Sequence, residues 1–327
     1  MTEDGKFRRR SSVLRLDWLN SKLENSEMID AKVMPEFKLT PKSYEGEREV
    51  TWCPGCGDFG ILNSVKQALA QLQIPPYQAY FVSGIGCGSK LPDYVHSNGF
   101  LGLHGRSLPM AQGAKLANHD LKVIVTVGDG DAYGIGAGHF VHALRRNSDI
   151  TMIVEDNKVY ALTKGQYSPT STQGWIASTT PDGAIEIEFN PVVMAIAGGA
   201  TFVARTFSGD PKHMAQTFAK AIQHKGFALV DVLQSCVVYN LVNTVEWYRP
   251  RVYKLDDDAS YNPRDYNAAM AKAHEWGDCI PIGVLYVEEG RPTYEDQVKP
   301  LEKGALVKQP LAGYSKATWD EFRTSMM

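Results

Sequence analysis

Val127-Gly128-Asp129-Gly130-Asp131 closes the strongest apolar run of the chain, and Glu155-Asp156-Asn157 closes the next one, 28 residues on from Asp129 to Asn157. Both runs are β-rich, and neither shows the period-2 alternation of a strand with one wet face, so both read as strands covered on two sides. The same signature recurs at 79–83, 123–127, 151–154, 201–204 and 228–233. Between these runs, 60–71, 136–146, 191–198 and 211–224 carry helical patterning. Strand–helix alternation of this kind predicts an α/β fold with a central, mostly parallel sheet flanked by helices, over residues 49–244. There is no internal repeat.

If the two founding strands are neighbours in that sheet, Asp129 and Asn157 emerge at one carboxyl edge, where open α/β sheets bind ligands. An Asp, an Asn and a free backbone carbonyl form a hard oxygen set suited to Mg²⁺, which keeps waters and substrate phosphates as its other ligands. The glycines between Gly128 and Gly138 let backbone amides approach a diphosphate at the start of the next helix. Gly-Asp-Gly alone also fits an ordinary strand–turn–helix corner. The Asn157 partner is what turns the reading toward function.

The flanks differ in character. Residues 1–48 are polar, charged and weakly periodic, and are expected to form an N-terminal extension; Leu14, Leu16, Trp18, Leu19 and Leu23 would give it one short amphipathic helix. Residues 245–327 carry more aromatics and prolines, with a helix expected over 267–276 and a strand over 283–287. They read as a C-terminal arm packed on the domain or on a partner subunit. Over the whole 327 residues, 34 basic and 37 acidic side chains give a formal charge of -3, without the basic excess of a nucleic-acid binder. No apolar run is long enough to cross a bilayer, and no apolar segment follows the basic cluster near the N-terminus, so neither a membrane span nor a secretory signal is expected. Five cysteines are too few for a disulfide scaffold, and a reducing, cytoplasmic setting is expected, where cysteines bind metals or do redox chemistry.

Cys53-Pro54-Gly55-Cys56 is a C-x-x-C in a tight turn that can aim two sulfurs at one metal. Alone it is ambiguous between a redox pair, half a zinc site and half an iron–sulfur site. Thioredoxin-type chemistry wants a strand before the motif, and three of the six residues 46–51 are charged. Cys87 and Cys236 stand at the ends of predicted strands, where they can converge with that turn. Four thiolates suit Zn²⁺ or a [4Fe–4S] cluster, and spacing does not choose between them.

Gly128-Asp129-Gly130 followed by Asn157 resembles the thiamine diphosphate–Mg²⁺ motif. Together with Trp52-Cys53-Pro54-Gly55-Cys56-Gly57, Ser83-Gly84-Ile85-Gly86-Cys87, Leu103-His104-Gly105-Arg106 and Thr163-Lys164-Gly165-Gln166, it resembles the β subunit of 2-oxoacid:ferredoxin oxidoreductases. The resemblance covers residues 49–289, and 249–263 and 280–283 also look like that family's C-terminal region. It implies that Cys53, Cys56, Cys87 and Cys236 ligate one [4Fe–4S] cluster. It implies Mg²⁺ ligands at Asp129, Asn157 and the backbone carbonyl of Val159. Ile85, Gly86, Cys87, Gly88, Gly130, Asp131, Ala161 and Leu162 would line the cofactor, with His104 and Gly105 near its phosphates, and Cys279 would be a spare, buried thiol. Cys87 belongs to both sets, so cluster and thiamine would be neighbours. A zinc ion there could accept no electrons.

The implied reaction is oxidative decarboxylation of a 2-oxoacid, in which thiamine forms an ylid and holds the electrons released with CO₂. Electrons leave through the cluster to ferredoxin, coenzyme A takes the acyl group, and the reverse is reductive carboxylation. Thiamine also needs a carboxylate against its aminopyrimidine ring, supplied in thiamine enzymes by a second domain. Only one such domain fits here, so an α subunit and an (αβ)₂ assembly are expected. Lys90 and Lys164, near the cofactor loops, would pair with the distal carboxylate of 2-oxoglutarate, and His104 would join them at the reacting end. The competing expectations are a pyruvate:ferredoxin oxidoreductase β subunit, a non-redox thiamine decarboxylase with a zinc site, and a zinc-bearing assembly protein on a vestigial thiamine fold.

Overall fold

The computed structural model describes residues 38–309 and 316–326. The helix expected around Leu14–Leu23 lies outside them. Everything that follows belongs to the body Leu39–Met327.

The strands are β1 (Ala79–Ser83), β2 (Asn98–Leu101), β3 (Lys122–Gly128), β4 (Ile150–Asp156), β5 (Val159–Tyr160), β6 (Gln166–Tyr167), β7 (Phe202–Phe207), β8 (Ala228–Leu233), β9 (Val252–Lys254) and β10 (Ile280–Val287). Eight of them form one sheet in the order β2-β1-β3-β4-β8-β7-β10-β9. From β2 to β7 every pairing is parallel. β10 then pairs antiparallel to β7, and β9 runs parallel to β10. β5 and β6 make a separate antiparallel pair. The mostly parallel α/β architecture expected from the strand–helix alternation is therefore the one observed.

The helices are α1 (Asp58–Gln71), α2 (Ser107–Ala117), α3 (Ala137–Arg146), α4 (Pro191–Ala197), α5 (Pro211–Gln223), α6 (Val245–Tyr248), α7 (Tyr266–His274) and α8 (Lys316–Ser325). Six of them, α1 to α5 and α7, divide between the two faces of the sheet, and the strand residues divide with them. Phe81, Ile124, Ile153 and Val230 join Ile61 and Val65 of α1 and Met214 and Phe218 of α5 in one core. Their strand neighbours Val82, Val125, Met152 and Leu229 face the other way, against Leu108 of α2, Phe140 of α3, Val192 of α4 and Ala269 of α7. Strands apolar on both faces bury more surface than an alternating strand could, which is why these runs lack period 2.

Two regions depart from the plain reading of the flanks. Tyr44, inside the stretch expected to be extension, is fully buried in the first core and donates its hydroxyl proton to the Ile74 carbonyl at 2.6 Å. Beyond residue 244, β9 and β10 extend the central sheet itself, so the arm supplies two of its eight strands. β2 and α2 carried no readable signal: all four β2 residues are exposed, and α2 contains Pro109 and Gly113. No helix among the described residues is long and apolar enough to cross a membrane.

Phe218 is fully buried between α1 and the sheet, so Phe218→Ala is expected to cost about 3–5 kcal/mol of stability. Urea unfolding should show a lower midpoint with an unchanged slope.

Candidate functional site

β1, β3, β4 and β8 are adjacent and parallel, so the segments leaving them all depart from one carboxyl edge. Two cavities open there. The first, about 260 Å³, is lined by Ile85, Gly86, Cys87, Gly88, His104, Gly130, Asp131, Ala161 and Leu162, with Asp129, Asn157 and Val159. Every residue expected at the cofactor is in that wall except Gly105. A wider cavity of about 590 Å³ adjoins it through Tyr160 and Thr163.

Asp129 is buried at the end of β3, where one carboxylate oxygen accepts from the Ser168 hydroxyl and from Thr170 Oγ1 at 2.7 Å. Thr170 Oγ1 also lies 2.8 Å from Asp156 Oδ1. A hydroxyl has a single proton, so one of the two carboxyls must be protonated to close both bonds. Burial, then the Asp156 charge, pushes Asp129 up to about 7. A cation seated against Asp129 would replace that proton. Asn157 Oδ1 accepts from the Val159 amide at 3.2 Å, which closes a small turn at the same wall. The donors here are all oxygens, and the set fits Mg²⁺ better than a softer metal.

Asp131 does different work. Its Oδ1 accepts from the Ile85 amide at 3.1 Å, the Gly105 amide at 2.8 Å and His104 Nδ1 at 2.5 Å. One carboxylate thus ties the loop after β1 to the loop before α2 and holds the His104 ring in the cavity wall. A side chain at Gly84 would put Cβ 2.0 Å from Asp131 Oδ2, so the approach of the two loops requires glycine there. Gly105 bonds this clamp and does not face the cavity.

The second cavity, about 230 Å³, is lined by Cys53, Cys56, Cys87 and Cys236, with Lys90 and Gln234. Cys53-Pro54-Gly55-Cys56 closes as a turn with the Cys56 amide on the Cys53 carbonyl at 3.0 Å, proline at its second position and Gly55 at φ +84° at its third. Trp52 anchors the turn: its indole N–H donates to the Cys87 carbonyl at 2.8 Å, and its ring meets Phe59 and Tyr94 edge-on. All four cysteines are free thiols. Burial and the neighbouring Asp58 raise Cys56 and push Cys87 up to about 12, so without a metal these thiols hold their protons and make poor nucleophiles. Among the described residues no group of three or more His, Cys, Asp or Glu side chains is gathered as a metal site. Four soft sulfurs lining one cavity are the donor set that zinc or an iron–sulfur cluster takes.

The lysines separate. Lys90 lines the cysteine cavity and donates to Thr51 Oγ1 at 3.0 Å, whereas Lys164 is exposed on the turn between β5 and β6 at φ +82°. Cys279, expected to be buried, is exposed on the loop leading into β10, next to the open Asp278. Sequence reasoning missed Ser168 and Thr170, which reach Asp129 across about 40 residues. It also missed the buried acids Asp58 and Glu155 behind the cysteines. The Glu-Asp-Asn stretch that Glu155 opens at the end of β4 was the one signal available; its place beneath Gly88 emerges only from the fold.

Comparison with known proteins matches residues 84–232 to the thiamine pyrophosphate enzyme C-terminal TPP-binding domain, and 236–303 to the C-terminal family of the pyruvate ferredoxin oxidoreductase beta chain. The chain is 47% identical over 279 residues to subunit beta of 2-oxoacid:ferredoxin oxidoreductase 1 from Aeropyrum pernix, covering 83% of this chain and 88% of that one. It is 45% identical over 199 residues to the 2-oxoglutarate oxidoreductase subunit KorB of Mycobacterium tuberculosis, covering 61% of this chain and 53% of that one. A solved 2-oxoglutarate:ferredoxin oxidoreductase from Magnetococcus marinus, with 2-oxoglutarate, coenzyme A and succinyl-CoA bound, superposes with a TM-score of 0.80 at 40% identity. The match covers 88% of this chain and 96% of that one.

Removing the clamp in Asp131→Ala should free the Ile85 and Gly105 amides. Hydrogen bonds to a charged acceptor are worth about 1.5–3 kcal/mol, so amide exchange at both should quicken roughly 10- to 150-fold. Exchange no faster than in the parent would show that the loops hold themselves.

Proposed function

This chain belongs to the β subunits of the 2-oxoacid:ferredoxin oxidoreductases, thiamine-dependent enzymes, and on that premise we propose that its two cavities seat thiamine diphosphate with Mg²⁺ and one [4Fe–4S] cluster. The observation that carries this reading is the wall common to both: Cys87, Asn157, Ala161 and Leu162 line the first cavity and the second. Groups on either side of a single layer of residues are close enough to exchange electrons. When bound, thiamine diphosphate supplies the nucleophilic carbon and electron sink for loss of CO₂ from a 2-oxoacid, and the cluster supplies one-electron steps. Asp129, Asn157 and the Val159 carbonyl are the Mg²⁺ ligands in this reading, and the diphosphate lies against Gly130 and the clamped Ile85–Gly88 and His104–Gly105 loops. His104, fixed by Asp131, stands in the wall of that cavity.

The acids lining the first cavity among the described residues are Asp129 and Asp131, and both are engaged. The carboxylate for the aminopyrimidine therefore comes from an α subunit, in an (αβ)₂ assembly that takes up 2-oxoacid and coenzyme A, releases CO₂ and reduces ferredoxin. Analysis of iron, sulfide, zinc and thiamine in one αβ preparation tests this. About four irons and one thiamine diphosphate per β chain are expected, with Cys53→Ser losing iron and keeping thiamine. Stoichiometric zinc, or full iron in Cys53→Ser, would overturn it.

The substrate we favour is 2-oxoglutarate. The KorB relative and the Magnetococcus enzyme act on that acid by name, and Lys164 follows Leu162 and Thr163 of the cavity wall. Pyruvate is the second reading, supported by the family description that matches 236–303. Lys90 is directed at Thr51, and a role at the substrate falls to it less readily than to Lys164. In the assembled enzyme, Lys164→Met should lower kcat/KM on 2-oxoglutarate roughly 10- to 150-fold, the worth of one charged hydrogen bond, and leave pyruvate turnover unchanged. Lys90→Met should not discriminate between the two acids. Equal loss on both acids in Lys164→Met would leave the choice of substrate to the α subunit.

A further inference from the structure

We propose that Gln234 is a positioning residue of the cysteine site: its side-chain amide hydrogen-bonds Cys56 and holds the reduction potential of the cluster above the value that four unassisted thiolates would give. This rests on the iron–sulfur reading above. Gln234 follows β8 directly, two residues before Cys236, and is almost wholly buried. Its backbone amide donates to the Asp156 carbonyl at 3.0 Å, which continues the β4–β8 ladder by one bond and fixes where the side chain starts. From there Nε2 lies 3.2 Å from Cys56 Sγ and 2.7 Å from Asp58 Oδ1. An amide nitrogen has two protons, and these two acceptors use both. The opposite rotamer would turn Oε1, which accepts and cannot donate, toward a thiolate. Among the described residues Gln234 is the one side chain that donates to a cysteine sulfur. Cys236 takes the backbone amide of Tyr239 at 3.5 Å.

The consequence follows from where charge goes. Reduction puts an electron on the cluster and raises the negative charge on its sulfur ligands, so a fixed N–H dipole favours the reduced state more than the oxidised one. Hydrogen bonds to the sulfurs are among the main controls of cluster potential. Gln234 also bridges Cys56 and the Asp58 carboxyl. Losing the amide therefore lowers the potential.

Gln234→Met keeps the length and the apolar stem and removes the donor. In the αβ enzyme, potentiometric titration followed by electron paramagnetic resonance should show the reduced-to-oxidised ratio at fixed potential falling on the order of tenfold, which is about 59 mV for a one-electron couple. Iron and sulfide should remain at parental content. A second measurement needs no substitution: in wild-type enzyme with ¹⁵N in glutamine side chains, pulsed resonance of the reduced cluster should detect one weakly coupled ¹⁵N. A cluster of unmoved potential in Gln234→Met, or no such coupling in the wild type, overturns this assignment alone. Absence of any cluster from the wild-type enzyme overturns the iron–sulfur reading and this assignment with it.

Discussion

Parallel hydrogen bonding from β1 through β3 and β4 to β8 decides where reactive side chains can stand. In that register Gly128 lies opposite Glu155, and Asp156 opposite Leu233, so the chain leaves adjacent strands at one level. Asp129, Asn157 and Cys236 follow within three residues of those ends, and Cys87 follows β1 at the same edge. Parallel strands need long crossovers, and these put helices on both faces, which in turn makes the strand interiors apolar. The chemistry is thus confined to the strand ends because the strands themselves are sealed.

Sealing has a cost that shows in the carboxyls. Asp58, Glu155, Asp129 and Asp231 are all buried, and burial raises each of them; Asp231 is pushed up to about 8 despite the nearby Arg205. An ionised carboxylate loses hydration on entering such a site, and a proton is the simplest remedy until a cation or donor replaces it. Asp231 accepts from the Tyr133 hydroxyl at 3.1 Å, and the Arg205 guanidinium lies 5.5 Å from the Trp276 ring. Polar groups under the sheet edge are therefore cross-braced, and the turn Gly130–Ile135 that carries Tyr133 is braced with them.

The sequence was most legible where one local signal sufficed. Apolar runs placed β1 and β8 to the residue, and the Gly-Asp-Gly and Cys-Pro-Gly-Cys stretches marked corners whose geometry depends on their own glycines. It was mute where the partner is remote. Ser168 and Thr170 look like ordinary loop residues until the β5–β6 excursion folds them over Asp129, and Gln234 looks like a strand's polar end until α1 brings Cys56 and Asp58 against it. Cys279 went wrong for the same reason, since its exposure depends on which side of β10 the preceding loop takes. β9 is three residues long and carries no pattern that its neighbours lack.

The two borders of the sheet are unequally protected. β9 is short and ends in Lys254, features that discourage a foreign strand from adding itself. β2 presents four exposed residues including Phe100 and Leu101, and Leu103 and Ile135 nearby are also open to water. An apolar strand border of this kind can template further strand pairing, a hazard that the short, lysine-ended β9 on the opposite border does not share.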